Sequence, residues 1–521
     1  MKKNQFYIIS VALSVALGGF LMGFDASVIS GVVKFIEPHF NLSKIQLGWS
    51  VSCLTLTATL AMMVAGPVSD RIGRRLVLRI AAILFAVSAV LSALAPNFWF
   101  LVMARMIGGV GVGASLIIAP MFIAEISPPK IRGRLVSFNQ LNIVIGISVA
   151  FFTNYLILKL GYSERPWVQS FGIEEHNWRW MLGLEILPAI IYYFALLFVP
   201  QSPRWLAMKN RYDEALVIME KAIGEDLARD ELSKIRMSID SDHKKEKASL
   251  GELFKPAMKL VITIGVVIAI LQQITGINSV FFYAPMIFEQ SGIGTDASFS
   301  QAILVGLTNL VFTLVAIWLI DRLGRKPLLI IGMTGIAVFM FILSAGFHSA
   351  SYRLNTEAIS QLPAEIPVDG LLSIQNIDFK SDVQYKKALE DAIGNKLLKE
   401  HSSTLISKAI QMNPLIILIG VLGFVASFAV SIGPVMWVLF SELFPNRLRG
   451  IAISFTGFLN SLISFSVQLV FPWELVTIGT AGTFLIYGIF GAAGLLFVLM
   501  VVPETKGRSL EELEKQLVKT N

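Results

Sequence analysis

Apolar residues in this chain come in runs of about twenty, separated by short polar turns. Twelve such runs can be read, near 6–24, 46–68, 76–95, 99–124, 135–158, 180–199, 258–289, 301–320, 327–347, 414–440, 450–471 and 480–502. About twenty apolar residues is what a helix needs to cross roughly 30 Å of hydrocarbon. Only helices and closed barrels cross with every backbone group satisfied. The pattern therefore predicts an all-α membrane protein of twelve transmembrane helices. The first run follows Lys2-Lys3, which imitates a signal peptide, but no small-residue cleavage site comes after it and the run outlasts an ordinary h-region. It reads as the first span.

Composition agrees with this reading. The chain is 55% hydrophobic and 15% charged, with a mean hydropathy of +0.69, whereas soluble domains are about 25% charged. The single cysteine, Cys53, lies inside an apolar run, so neither a disulfide framework nor a metal cluster is expected. The net charge of +7 is not a nucleic-acid signal, because the basic residues follow the loops. Alternate loops carry Arg71, Arg74 and Arg75; Lys130, Arg132 and Arg134; Arg322, Arg325 and Lys326; Arg447 and Arg449; and Lys506 and Arg508. The short opposite loops around 96–98, 290–300 and 472–478 hold no Lys or Arg. The positive-inside rule then places both termini in the cytoplasm, and the expected location is a cell inner membrane.

The chain also repeats itself. Asp70-Arg71-Ile72-Gly73-Arg74-Arg75 returns as Asp321-Arg322-Leu323-Gly324-Arg325-Lys326, an offset of 251 residues, and Gly23-Phe24-Asp25 matches Gly276-Ile277-Asn278 at 253. Glu125 with Arg132-Gly133 matches Glu442 with Arg449-Gly450 at 317. The change from 251 to 317 requires about 66 extra residues between Lys326 and Glu442, and the polar stretch 348–411 supplies nearly all of them. The expected organisation is an N-terminal six-helix bundle over 1–199 and a linker with amphipathic helices over 200–256. A C-terminal bundle over 257–502, with the outer insertion at 348–411, and a tail over 503–521 complete it. The insertion reads as a solvated, partly helical cap; a binding role is the alternative.

Several motifs now converge. The two charged repeats resemble the signature loops of the major facilitator superfamily. Arg105, Glu125, Arg132-Gly133-Arg134, Gln272-Gln273-Ile274-Thr275-Gly276-Ile277-Asn278, Gly433-Pro434-Val435-Met436-Trp437 and Pro503-Glu504-Thr505-Lys506-Gly507-Arg508 resemble its sugar porters. The likeness is to bacterial xylose–proton or glucose–proton symporters and to facilitative glucose transporters, and it covers almost everything outside 348–411. It implies two six-helix bundles (the major facilitator fold), a sugar site halfway across, and rocking of one bundle against the other. It also implies that the charged inner loops latch the halves: Asp70, Arg71, Arg75, Glu125, Arg132, Asp321, Arg322, Arg325, Glu442 and Arg449 are the expected gate. Basic residues could serve topology alone, but that role needs no acids.

A sugar site wants neutral amides and an aromatic plate rather than fixed charges. The seventh run supplies Gln272, Gln273 and Asn278. On a straight helix the first and last are about 120° out of alignment, and Gly276 between them allows local unwinding. By resemblance, Gln140, Asn309 and Asn460 complete the polar set, Trp437 stacks on the sugar ring, and Phe428, Phe282 and Tyr283 line the cavity. Each amide could instead serve an interhelical hydrogen bond, worth about 0.6 kcal/mol. The chain departs from the family pattern at Met22, Ile147, Ser461 and Gln201 in Pro200-Gln201-Ser202-Pro203-Arg204. These departures leave open which sugar is carried.

Asp25 sits inside the first run, where an ionised acid costs about 2.5–3.5 kcal/mol on insertion scales. Arg105 of the fourth run is its expected partner. The resemblance makes this the proton-coupling pair, since facilitative relatives have a neutral residue here. The alternative is an ion pair that never titrates, in a uniporter. Gly109-Val110-Gly111-Val112-Gly113 lacks the strand that a dinucleotide loop requires, and its small residues suit close helix packing instead. His39, His176, His243, His348 and His401 lie in or beside polar loops without ligand-like neighbours. The chain reads as no enzyme, with no cofactor or metal. Its expected partners are a monosaccharide such as glucose or xylose, a proton and the bilayer, with the protein acting as a monomer. A sugar sensor or a drug antiporter fits less of the sequence.

Overall fold

The computed structural model describes residues 2–128, 131–242, 249–445, 447–508 and 512–513; Lys130, His243 and most of the tail past Arg508 lie outside them. Among the described residues, eleven helical segments are long and apolar enough to cross a membrane. The first five spans are Lys2–His39, Lys44–Ile72, Arg74–Ala93, Phe98–Ile126 and Arg132–Gly161. The eighth, ninth, eleventh and twelfth are Thr295–Leu323, Arg325–His348, Arg449–Thr477 and Thr480–Met500. The expected uninterrupted sixth span is instead two short helices, Asn177–Gly183 and Ile186–Ala195. Pro188 has no N–H to give the Leu184 carbonyl, so the chain opens at Leu184-Glu185.

The seventh and tenth spans are broken as well. The seventh runs as Lys259–Ile274, Ile277–Phe282 and Ala284–Glu289. Its first break is at Gly276, whose φ of +91° is left-handed. The Tyr487 ring lies where a side chain on residue 276 would go, so both conformation and space demand glycine. The tenth runs as Pro414–Val430 and Ile432–Leu443, meeting at Ser431.

Packing divides the chain into two compact units. The first comprises Met1–Ser27, Cys53–Ala150 and Arg179–Ala248. Its apolar core is built on Phe85, Phe122 and Tyr192. Helices approach closely where glycine removes the side chain: Gly23 against the Ile143 carbonyl, Gly109 against the Leu54 carbonyl and Gly113 against the Ala58 carbonyl. That is the packing role expected of Gly109 and Gly113. Three helices of the polar linker, Pro203–Met208, Tyr212–Ile223 and Glu225–Asp242, follow the sixth span at the end that carries the basic loops.

The second unit comprises Val28–Ser52, Phe151–Trp178 and Ser249–Asn521. It thus includes the ends of the first, second and fifth spans that lie away from the basic loops. There Lys34 pairs with Glu289 and donates to Thr295, and Lys159 stands 2.8 Å from Asp296. The Phe35 and Phe299 rings are 6.3 Å apart and Trp49 meets Phe465 edge-on at 5.7 Å. Within this unit, charge and ring contacts join these ends to the seventh, eighth and eleventh spans.

The insertion is a small, partly helical folded body. Three short strands, β1 (Ser351–Arg353), β2 (Asp378–Phe379) and β3 (Ile410–Gln411), form an antiparallel sheet in the order β2-β1-β3. Tyr352, Leu354, Leu371, Tyr385, Leu389 and Leu405 give it an apolar core of its own. Tyr385 and Leu389 lie four apart on one helix, Asp382–Ile393, a spacing the sequence carries, whereas the strands that complete the core are too short to show a period. Asp382 accepts from the Thr480 backbone N–H (3.2 Å) and hydroxyl (2.8 Å), at the start of the twelfth span. Lys386 donates to Gln290 at 2.7 Å, and Lys399 donates to Asn41 Oδ1 and to the Leu42 carbonyl, both at 2.9 Å.

Candidate functional site

Unwinding at Gly276 joins amides that a straight helix would separate. In the second unit, Gln273 Nε2 donates to Gln272 Oε1 and to Asn460 Oδ1, both at 3.2 Å. Asn460 Nδ2 donates to Gln272 Oε1 at 2.7 Å and to the Ala269 carbonyl at 2.9 Å. Asn278 Nδ2, beyond the break, reaches back to Gln273 Oε1 at 2.8 Å and across to Ser464 Oγ at 2.6 Å. Gln468 Nε2 also donates to Ser464 Oγ, at 2.7 Å. Gln272 Nε2 ties the set to the tenth span through the Ile432 and Gly433 carbonyls, at 3.3 and 3.2 Å. Asn460, Ser464 and Gln468 recur every four residues, one buried stripe of the eleventh span.

The aromatic residues divide into two groups. Trp437 is 47% exposed, braced edge-on by Phe440 at 6.0 Å, and Phe428 is half-buried beside Gly433. Both leave part of their apolar surface uncovered. Tyr283 is wholly buried, its hydroxyl donating to the Gln468 carbonyl at 3.0 Å and its ring packed on Phe471, and Phe282 is buried too. Both lie at the second break of the seventh span, at Tyr283. Asn309 is buried in the eighth span. Gln140 belongs to the first unit, where it is exposed on the fifth span.

Within the first unit, Asp25 Oδ1 lies 3.5 Å from Arg105 Nη1, and both residues are buried. Asp25 Oδ2 has no hydrogen-bond partner. Gly108 and Ser88 border it: a methyl added at Gly108 would stand 2.8 Å from that oxygen and 2.5 Å from Ser88 Oγ. A second acid joins them. Glu185, at the opened turn of the sixth span, is buried, feels the charges of Asp25 and Arg105, and leaves Oε1 unpartnered. Sequence reading passed over Glu185, although an acid inside an apolar run was signal enough.

At the basic end each half carries the same arrangement. Arg74, absent from the expected gate, is the buried cation: it lies 2.7 Å from Asp70 and donates twice to Glu125 at 3.2 Å, while Ser202 donates to the same carboxylate. In the second unit Arg325 lies 3.5 Å from Asp321 and donates to Glu442 at 2.7 Å, with Thr505 donating to Glu442 at 2.6 Å. Gln201 accepts from the Arg75 N–H at 3.4 Å; its counterpart Glu504 accepts from the N–H groups of Arg325 and Lys326, both at 3.1 Å. Burial alone would raise the Glu504 carboxyl, but those N–H donors hold it below its ordinary value.

The remaining gate arginines do not pair with the gate acids. Arg71 is exposed, and Arg75 donates to the Val199 carbonyl. Arg132 donates to the Ser127 carbonyl and lies 4.0 Å from Glu231. Arg322 stacks on Trp318 at 4.1 Å, and Arg449 donates to the Phe444 carbonyl.

A duplicated bundle with broken spans, an amide cluster at one break and an acid–arginine cluster inside the membrane has the make-up of a secondary carrier. The family described as "Sugar (and other) transporter" matches residues 11–360 and 397–517. The chain belongs to that family, whose fold is the two six-helix halves of the major facilitator superfamily and whose members are transporters, not enzymes. It is 33% identical to the arabinose-proton symporter of Bacillus subtilis (strain 168), over 98% of this chain and 96% of that one. It is 34% identical to the D-xylose-proton symporter of Escherichia coli (strain K12), with the same two coverages. The inward open conformation of the E. coli xylose transporter superposes with a TM-score of 0.73 at 33% identity, covering 98% of this chain and 100% of that one.

Proposed function

We propose that this carrier imports a monosaccharide, a pentose or hexose, together with a proton by alternating access. It works as a monomer in a bacterial inner membrane, with the basic end and both termini in the cytoplasm. The names of the arabinose and xylose symporters support the substrate class and the coupling ion. Gln272, Gln273, Asn278 and Asn460 are the sugar-binding amides of the second unit, with Trp437 as the plate.

The observation that carries proton coupling is a charge count. One buried cation, Arg105, stands with two buried acids, Asp25 and Glu185. With both acids ionised the group has a net charge of −1 in hydrocarbon, and one bound proton neutralises it. Proton binding at Asp25 also frees Arg105 from its carboxylate, so protonation and helix rearrangement are linked. One proton moving through ~150 mV releases about 3.5 kcal/mol, enough for a sugar gradient of roughly 300-fold.

The test is uptake of labelled xylose, arabinose and glucose into proteoliposomes, with and without an imposed inward proton gradient. Accumulation above equilibrium with one of these sugars is expected. Uptake that only equilibrates, whatever the gradient, would make the protein a uniporter, and absence of flux for all three would remove the substrate class.

A further inference from the structure

We propose that Ser464 is a sugar ligand, and that with Asn278 it forms a two-point clamp for a single sugar hydroxyl. The proposal rests on the assignment of Asn278 to the sugar site and extends it to a residue outside the amide set.

The argument is one of hydrogen-bond capacity. A serine hydroxyl has two acceptor positions and one proton. Asn278 Nδ2 and Gln468 Nε2 fill both acceptor positions of Ser464, at 2.6 and 2.7 Å. Among the described residues the Ser464 proton has no acceptor; it does not bond back to the Asn460 carbonyl, as Thr456, Ser454 and Ser466 do to theirs on the same helix. The donors of the amide set are already engaged: Gln272 on two carbonyls, Gln273 on Gln272 and Asn460, Asn460 on Gln272 and Ala269, and Asn278 on Gln273 and Ser464.

What remains unused beside the Gly276 break is complementary. Asn278 Oδ1 accepts from nothing among the described residues, and Asn278 is only half-buried. The Ser464 O–H is a donor next to it. A sugar hydroxyl both donates and accepts, so one hydroxyl can give its proton to Asn278 Oδ1 and receive the proton of Ser464. Gln468 then acts as a positioning residue: by occupying one Ser464 lone pair it limits where the O–H can point. Tyr283, through the Gln468 carbonyl, fixes Gln468 in turn.

The experiment is equilibrium binding, read by intrinsic tryptophan fluorescence, of the best-transported sugar and its monodeoxy analogues. The proteins are wild type, Ser464→Ala, Ser464→Cys, Ser464→Thr and Asn278→Ala, purified whole in detergent. Wild type should discriminate against the analogue lacking the clamped hydroxyl by about tenfold, in the range of a hydrogen bond removed from a buried pair. Ser464→Ala should bind the parent sugar about threefold more weakly and bind that one analogue as wild type does, so that discrimination at one hydroxyl falls to what Asn278 Oδ1 alone supplies. Ser464→Thr should restore both values. Ser464→Cys keeps the volume with a weak donor and should behave as the alanine variant does, which keeps the test in force if Ser464→Ala does not fold. Unchanged discrimination in the alanine or cysteine variant, with Asn278→Ala impaired, overturns the Ser464 assignment alone. Unchanged binding in Asn278→Ala as well removes the sugar-site assignment on which it rests.

Discussion

Arg105 faces Asp25 at 3.5 Å, with both side chains only 2% exposed, yet the second oxygen of Asp25 has no hydrogen-bond partner. An ion pair built only for stability would satisfy both oxygens. Asp25→Asn should therefore keep sugar exchange across proteoliposomes and lose gradient-driven accumulation. Counterflow and gradient-driven uptake, measured on the same vesicles, separate the two.

Glu185 shares that cluster without a direct bond to Arg105. Glu185→Gln removes the surplus acid, so the cluster becomes neutral without a proton. The expected result is exchange near the wild-type rate and gradient-driven uptake reduced about tenfold, an interaction of roughly 1.4 kcal/mol. A variant that accumulates sugar like wild type would take Glu185 out of the coupling group.

Gly108 is the spacer that lets the fourth span pass Asp25. Gly108→Ala puts a methyl 2.8 Å from the carboxylate and 2.5 Å from Ser88 Oγ, and overpacking of this kind costs about 1–3 kcal/mol. A lowered melting temperature with impaired gradient-driven uptake is expected. Gly133→Ala, where the added methyl meets nothing within 4 Å, is the control and should leave both readings alone.

At the basic end the distinction between buried and exposed arginines is sharp. Arg74→Ala leaves the half-buried Glu125 without its cation, a change worth up to about 3 kcal/mol. Arg71→Ala removes an exposed charge and should stay within about 0.5 kcal/mol of wild type. Thermal unfolding in detergent distinguishes them, and equal loss from both would contradict the pairing.

Asp382 gives a pH dependence. Burial alone would raise its carboxyl, but the charge of Lys386 and the two Thr480 donors outweigh burial and hold it below 3.8. A carboxyl depressed in the folded state contributes stability that is complete above its unfolded value, about 3.9, and is lost as pH falls through the folded value. Asp382→Asn should lower the melting temperature at pH 7, and the gap to wild type should narrow below about pH 4. A gap that stays constant down to pH 3 would show that Asp382 does not titrate with unfolding.

The fold class was legible because hydropathy reports span length directly, and the repeat of Asp70–Arg75 at Asp321–Lys326 reports duplication. Local chemistry was legible at Asp25, Arg105 and Gln272–Asn278, where polar residues interrupt apolar runs. Arg74 was not separable from Arg71 and Arg75, since three basic residues in one turn look alike until burial tells them apart. Ser464 and Gln468 formed a stripe with Asn460, at four-residue spacing, that periodicity alone could have found. In the insertion, the face of Tyr385, Leu389 and Ile393 was legible by helical spacing, whereas strands of two or three residues show no period, and docking through Asp382 and Lys399 depends on partners about 100 and 360 positions away.

Ser351 on β1 pairs directly with Gln411 on β3, so the insertion's entry and exit stand about 5 Å apart. To the ninth and tenth spans this is equivalent to a tight hairpin, whatever is carried beyond it. The position is therefore a natural socket for protein engineering. A reporter or affinity module whose own termini lie side by side can take the place of 352–410 without stretching either helix, and would report from the face of the carrier opposite its basic loops.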